Sequence, residues 1–243
     1  MLIQGVTLTG TYITDNPPAI TTGLQQYYDI GDSGSYSGLG ATVIDLANGG
    51  YGNGTLVSSP TYTSAGNRSY LSFNGSSSYF YTPNLYTMAS GTLNSTMEVW
   101  VRTSSDNGVV VDEQGNIPFN SGWHDAQIEI ISGVLKGTYW GYNAITGPSV
   151  TRNVWQQYVL TYNVSTSTQT LYINGASVGN KTSYTRSFAG SVLHLGVAGP
   201  ADFTTLGDGT LLACDWSIFR VYNRALTADE VLQNYRATSW RYS

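Results

Sequence analysis

Asp215-Trp-Ser-Ile-Phe-Arg-Val-Tyr-Asn-Arg-Ala-Leu-Thr-Ala-Asp-Glu-Val-Leu-Gln-Asn-Tyr235 decides how this chain is read. Ile218, Phe219, Val221 and Tyr222 form a strand-like run that passes through a polar turn into one helix. Thr227 with Glu230 three residues later is a capping box, which satisfies amides left orphaned at a helix start. Upstream of this stretch the pattern is strand, turn, strand. Apolar residues alternate in Leu71/Phe73, Met97/Val99/Val101, Tyr158/Leu160/Tyr162, Leu171/Ile173 and Leu193/Leu195/Val197. Period-two alternation predicts one buried face per strand and hence antiparallel sheets. Asn74-Gly75, Asn107-Gly108, Gly147-Pro148 and Asn174-Gly175 supply turn chemistry between the runs, and Asn174-Gly175 reads as a tight hairpin. The expected fold is all-β, a two-sheet antiparallel jelly-roll sandwich with one short C-terminal helix.

Composition narrows the function. Charged residues are 10% of the 243, against about 25% in an ordinary globular protein, while Tyr (19) and Gly (28) are abundant. Such a surface is solvated by hydroxyls and amides, which suits a β protein that handles sugars or sits in a large assembly. The net charge of −5 and the scattered Lys and Arg give no clustered basic face, so nucleic acid is not an expected partner. No apolar run approaches the roughly 20 residues needed to cross a bilayer as a helix, so membrane insertion is not expected. A single cysteine, Cys214, lies in an apolar stretch and reads as a small buried side chain. The N-terminal residues lack a basic region followed by an apolar core, so a secretory signal is not expected.

Residues 1–22 read as an extended, Thr-rich N-terminal arm interrupted by Pro17-Pro18, and residues 23–243 as the jelly-roll domain. The arm either tucks onto its own sandwich or reaches a neighbouring subunit.

Several motifs resemble those of laminin-G-like jelly rolls in the concanavalin A-like lectin/glucanase superfamily. Besides the tail, these are Tyr70-Leu-Ser-Phe-Asn-Gly75, Thr96-Met-Glu-Val-Trp-Val101, Asn153-Val-Trp-Gln-Gln-Tyr-Val-Leu-Thr-Tyr162 and Gln169-Thr-Leu-Tyr-Ile-Asn-Gly175. Gly23-Leu-Gln-Gln-Tyr-Tyr-Asp29 and Val43-Ile-Asp-Leu-Ala-Asn-Gly-Gly-Tyr-Gly-Asn-Gly-Thr-Leu56 resemble the variant found in structural proteins of tailed bacteriophages. The resemblance implies a non-catalytic virion structural or decoration protein of head, tail or fibre. It would be made in the host cytoplasm and displayed on the virion surface. Its implied partners are copies of itself, other virion proteins and a host-surface glycan. A free calcium-dependent carbohydrate-binding lectin is the alternative.

Glycoside hydrolysis needs two carboxylates across one cleft, and no Glu-x-Asp-x-x-Glu strand is present. Asp112-Glu113 would point to opposite faces, so no enzyme is expected. Two candidate sites remain. Asp45-Leu-Ala-Asn48-Gly-Gly-Tyr-Gly-Asn53 alternates oxygen donors with glycines, which suits a calcium loop as well as a plain turn. The resemblance adds Asp215 to its ligands. For carbohydrate, aromatic faces beside planar polar groups mark Trp123, His124 and Asp125 in one loop and Trp140 and Tyr142 near a strand end.

Overall fold

A computed structural model of the chain describes residues 16–47, 51–83, 94–117, 124–139, 144–182, 194–201 and 209–243. In chain order the strands are β1 (Leu24–Asp29), β2 (Thr42–Val43), β3 (Gly54–Val57), β4 (Thr61–Thr63), β5 (Tyr70–Asn74), β6 (Tyr79–Tyr81), β7 (Ser95–Thr103) and β8 (Gly108–Gln114). They continue as β9 (His124–Ile131), β10 (Val134–Gly137), β11 (Ile145–Ser149), β12 (Gln156–Asn163), β13 (Thr168–Ile173), β14 (Ala176–Lys181), β15 (His194–Val197) and β16 (Ala213–Tyr222). One helix, α1 (Ala228–Ser239), follows.

The strands form two eight-stranded antiparallel sheets. The first runs β14-β13-β12-β7-β16-β5-β4, with β1 pairing the second half of β16 where β5 has ended. The second runs β11-β10-β9-β8-β15-β6-β3-β2. Neighbours distant in sequence, such as β7 beside β16 and β8 beside β15, are the crossovers of a jelly roll. Between the sheets lies a core that includes Leu71, Phe80, Val99, Val111, Ile128, Leu160, Leu195, Trp216 and Phe219.

Local chemistry explains the turns. Asn174 (φ 51°) and Gly175 (φ 79°) both take the left-handed conformation of a two-residue hairpin whose twist matches the strands it joins. At the β5–β6 turn Asn74 Oδ1 accepts from the N–H groups of Ser76, Ser77 and Ser78, so a neutral amide organises the turn. Thr227 and Glu230 form the capping box at the start of α1, and Arg224 holds Glu230 with two further bonds at 2.7 and 2.8 Å.

The expectation of one buried face per strand fails in the middle of the first sheet. β12 and β16 are buried on both faces because α1 and the C-terminal tail lie across the outer side. Val159, Tyr172, Tyr222, Leu226 and Val231 make a second apolar cluster there, joined by Ile20 and Leu24. Residues 16–22 of the expected arm are tied to this helix: Ile20 N donates to Asn234 Oδ1 at 2.8 Å and Gln233 Nε2 donates to the Pro18 carbonyl at 2.8 Å. Residues 1–15 of the arm lie outside the described residues.

Beneath α1, Glu98 accepts from Arg220 Nη1, Gln157 Nε2 and Asn234 Nδ2 at 2.7, 2.9 and 2.7 Å. Asp29 takes a two-pronged ion pair from Arg241, both bonds 2.7 Å. A run of rings, Tyr235, Trp100, Tyr242 and Trp155, extends from the helix to the β12 end, with Arg102 over Trp155 and Tyr70. Three kinds of contact therefore fasten the tail: apolar burial, buried ion pairs and stacked aromatics.

Candidate functional site

Of the expected residues, Trp123, Trp140, Tyr142 and Asn48 lie outside the described residues. His124 opens β9, and its backbone pairs with Gln114. Asp125, expected at an exposed loop rim, is instead a fully buried strand residue. It is in register with Glu113, whose partner on the other side is Leu195 of the core, so Asp125 belongs to the inner face. Its Oδ1 accepts from Gln127 Nε2.

Asp45 follows β2. Its Oδ1 accepts from the N–H groups of Tyr27 and Ala47, both at 2.9 Å, and its own N–H donates to Asn53 Oδ1 at 3.2 Å. Burial pushes the Asp45 carboxyl up from its ordinary pKa, against those two backbone bonds. Beside it a groove of about 470 Å³ is lined by Ile20, Leu24, Tyr27, Leu46, Ala47 and Arg220. The structure brings Asp45 and Asn53 together, but not Asp215. Asp45 is anchored to Tyr27, which pairs with Arg220, and Arg220 lies roughly 16 Å along β16 from Asp215 at about 3.3 Å per residue. Asp215 is engaged elsewhere: Arg102 donates to its Oδ2 through Nε (2.8 Å) and Nη2 (2.6 Å), and Ser72 Oγ to its Oδ1 at 2.6 Å. Calcium takes about 6–8 oxygens, commonly several of them anionic. The described residues leave Asp45 as the single uncompensated carboxylate of that set, which does not fit the ion by itself.

A different constellation stands on the outer face of the second sheet. Thr42, Thr55, Tyr81, Gly196, Asp112 and Ala126 are in lateral register across β2, β3, β6, β15, β8 and β9. One step away, His194, Gln114 and His124 form the next row. Phe80 points inward to meet Tyr28 and Trp216, so Tyr79 and Tyr81 on either side of it face outward. The half-buried rings of Tyr81 and His194 meet edge to face, with centroids 6.1 Å apart at 86°, and Tyr79 lies 6.3 Å from Tyr81. His194 Nδ1 is 2.7 Å from the Thr82 carbonyl, which fixes the plane of the imidazole.

Gly196 leaves room for the neighbouring acid. A Cβ there would lie 2.0 Å from Asp112 Oδ1, and one at Gly199 would lie 2.2 Å from Oδ2. Asp112 therefore leans over β15, fully buried, with Oδ2 accepting from Ala201 N–H (3.0 Å) and Gln114 Nε2 (2.9 Å). Burial pushes its pKa up to about 7, with those donors opposing the rise. Burial also raises Tyr79, and the nearby Asp112 charge adds to the effect.

Ring edges and faces beside an imidazole and threonine hydroxyls can pack against the apolar side of a sugar ring and bond its hydroxyls. The sequence marks His194 as an outward or satisfied strand histidine and does not single out Tyr81, so neither is expected as a site residue. The available signal was Tyr79-Phe-Tyr81, where two tyrosines flank an inward phenylalanine on a strand.

The Trypanosoma rangeli sialidase in complex with sialic acid is similar in structure, with a TM-score of 0.67 at 14% identity over 93% of this chain. The botulinum neurotoxin serotype G binding domain gives a TM-score of 0.62 at 17% identity over 89% of this chain. The match spans 34% of the sialidase chain and 51% of the toxin domain chain. No curated protein matches significantly by sequence. A laminin-G family of the concanavalin A-like lectin/glucanases superfamily matches residues 74–232, more than half of the chain, and with both sheets and the closing helix in place the protein belongs to that superfamily.

Proposed function

We propose that this chain is a non-catalytic, glycan-adhesive jelly-roll module that binds carbohydrate on the outer face of its second sheet. The observation that carries the reading is the half-buried Tyr81–His194 pair, set edge to face beside strand threonines on the outer face of the sheet. An apolar sugar face stacks on such rings, while the strand threonines Thr42 and Thr55 bond its hydroxyls. Two fold relatives support the reading: a sialidase whose structure holds sialic acid, and a toxin binding domain.

The non-catalytic part of this reading is drawn from the acids among the described residues. Glu113 and Asp125 are register partners, but both are buried on the side that faces the core, where no substrate reaches them. Asp112 lies on the opposite face of the same strand. Most glycosidases use two carboxyls flanking one accessible bond. The setting we propose, from the motif series, is a virion surface, with copies of the chain or other virion proteins as neighbours and a host glycan as ligand.

The test is a glycan array probed with the full chain, followed by titration of the best ligand. Tyr81→Ala and His194→Ala should each weaken binding about tenfold or more, the equivalent of about 1.4 kcal/mol, with an unchanged circular dichroism spectrum. An array without ligands, or unaltered affinity in both variants, overturns the reading.

A further inference from the structure

On β8, Asp112 and Gln114 stand two residues apart on one face, and between them two buried oxygens lack a partner. Gln114 Nε2 donates to Asp112 Oδ2 at 2.9 Å. The other two atoms of this arrangement, Asp112 Oδ1 and Gln114 Oε1, are both buried acceptors that make no well-formed hydrogen bond, although the Gly196 and Asp112 N–H groups lie near enough to the carboxyl to favour its charge. Two acceptors cannot satisfy each other, and leaving each buried and unmade is costly. A proton on Asp112 Oδ1 would convert it into a donor, and with the amide already bonded to Oδ2 a second bond to Gln114 Oε1 would complete an acid–amide ring that satisfies both atoms.

We infer that Asp112 is held as a carboxylic acid paired with Gln114, and that this pair is a proton-dependent latch fastening the segment 198–201 across the second sheet. Asp112 Oδ2 is the acceptor for Ala201 N–H, and Gly199 packs directly on the carboxyl. The segment turns back over the sheet at Ala198, a non-glycine residue held at φ 54°, so its position is imposed by what it docks on. Around the carboxyl, β6 contributes Tyr79, β15 contributes Gly196 and His194, and β9 contributes Ala126. On its own strand Glu113 faces the other way, and among the described residues no ion pair involves Asp112.

Losing the proton to solvent leaves a buried carboxylate near an amide oxygen, with no ion-pair partner among the described residues to offset it. The folded-state pKa, about 7, stands above the ordinary value of about 3.9 for an unfolded aspartate. Between those values the folded state holds a proton that the unfolded state has released, so stability from this group falls as pH rises through the window. The inference stands whether or not the face binds a glycan.

Asp112→Asn in the full chain is the test, because an amide presents the same donor and acceptor at every pH. Wild-type Tm should drop by a few degrees relative to Asp112→Asn between about pH 5 and about pH 8. A pH-independent Tm difference between the two chains overturns the latch. Should the variant fail to fold, 13C NMR of the wild-type Asp112 carboxyl decides instead. Titration near neutral pH supports the latch, and a carboxyl already ionised at about pH 5 overturns it.

Discussion

The outer faces of the two sheets are built from the same strand pattern and put to opposite uses. On the first sheet α1 and the tail cover the strands. The charges below them are matched: Glu98 with Arg220, and Asp29 with Arg241. On the second sheet the described residues leave Tyr81 and His194 half open, and the buried acid lacks a cation. Matched charges and stacked rings make a face that holds the fold. Half-open rings and unmatched acceptors make the face on which the proposed sugar and proton would act.

The largest expected effect comes from breaking the closed face. Arg220→Ala strands Glu98, fully buried, beneath the helix with only amide donors left. Removing one partner of a buried pair costs about 3–5 kcal/mol, and urea denaturation should register a loss of that size with little change in slope. A loss below about 1 kcal/mol would show that the first sheet does not depend on its ion pairs, and the contrast between the faces would fail.

How much of this was legible beforehand depends on sequence separation. The capping box at Thr227 and Glu230 and the hairpin at Asn174-Gly175 are local, and each is found where its residues predict. The ion pair of Arg220 with Glu98 is fixed by register between β7 and β16, which no local pattern reveals. The same limit hid the second burial layer, because alternation reports the face toward the core and is silent about a helix folded across the other side. It also hid the Tyr81–His194 pair, whose members meet only through the β6–β15 pairing. Asp215 resembled a metal ligand in its motif, yet β7 brings Arg102 alongside it in register.

The two faces should also answer acid with opposite signs. Burial works against the Asp29 carboxylate, but the two bonds from Arg241 outweigh it and its pKa ends below the ordinary value. A depressed pKa means stability that is present above about pH 4 and lost as pH falls toward the folded-state value. Asp112 runs the other way, gaining on acidification from about pH 7. Asp29→Asn should therefore flatten the acid limb of the Tm profile below about pH 4, while leaving the limb between about pH 5 and about pH 8 intact. A variant that alters both limbs equally would show that the faces are coupled.

The smallest expected effect concerns Asp45, which sits beside the closed face yet carries an uncompensated carboxylate. Its Oδ1 organises Tyr27 and Ala47, so Asp45→Asn, which keeps an oxygen at that position, should retain both backbone bonds and shift Tm by little. Calcium would need further anionic ligands, and Arg102 already neutralises the one that the family motif suggested, Asp215. EDTA should therefore leave Tm unchanged, and added calcium should not raise it. A calcium-dependent rise that Asp45→Asn abolishes would show that the 48–50 stretch completes a site with Asp45 and Asn53. The first sheet's edge would then gain stability from an ion and not from paired side chains alone, and the division of labour between the two faces would have to be redrawn at that edge.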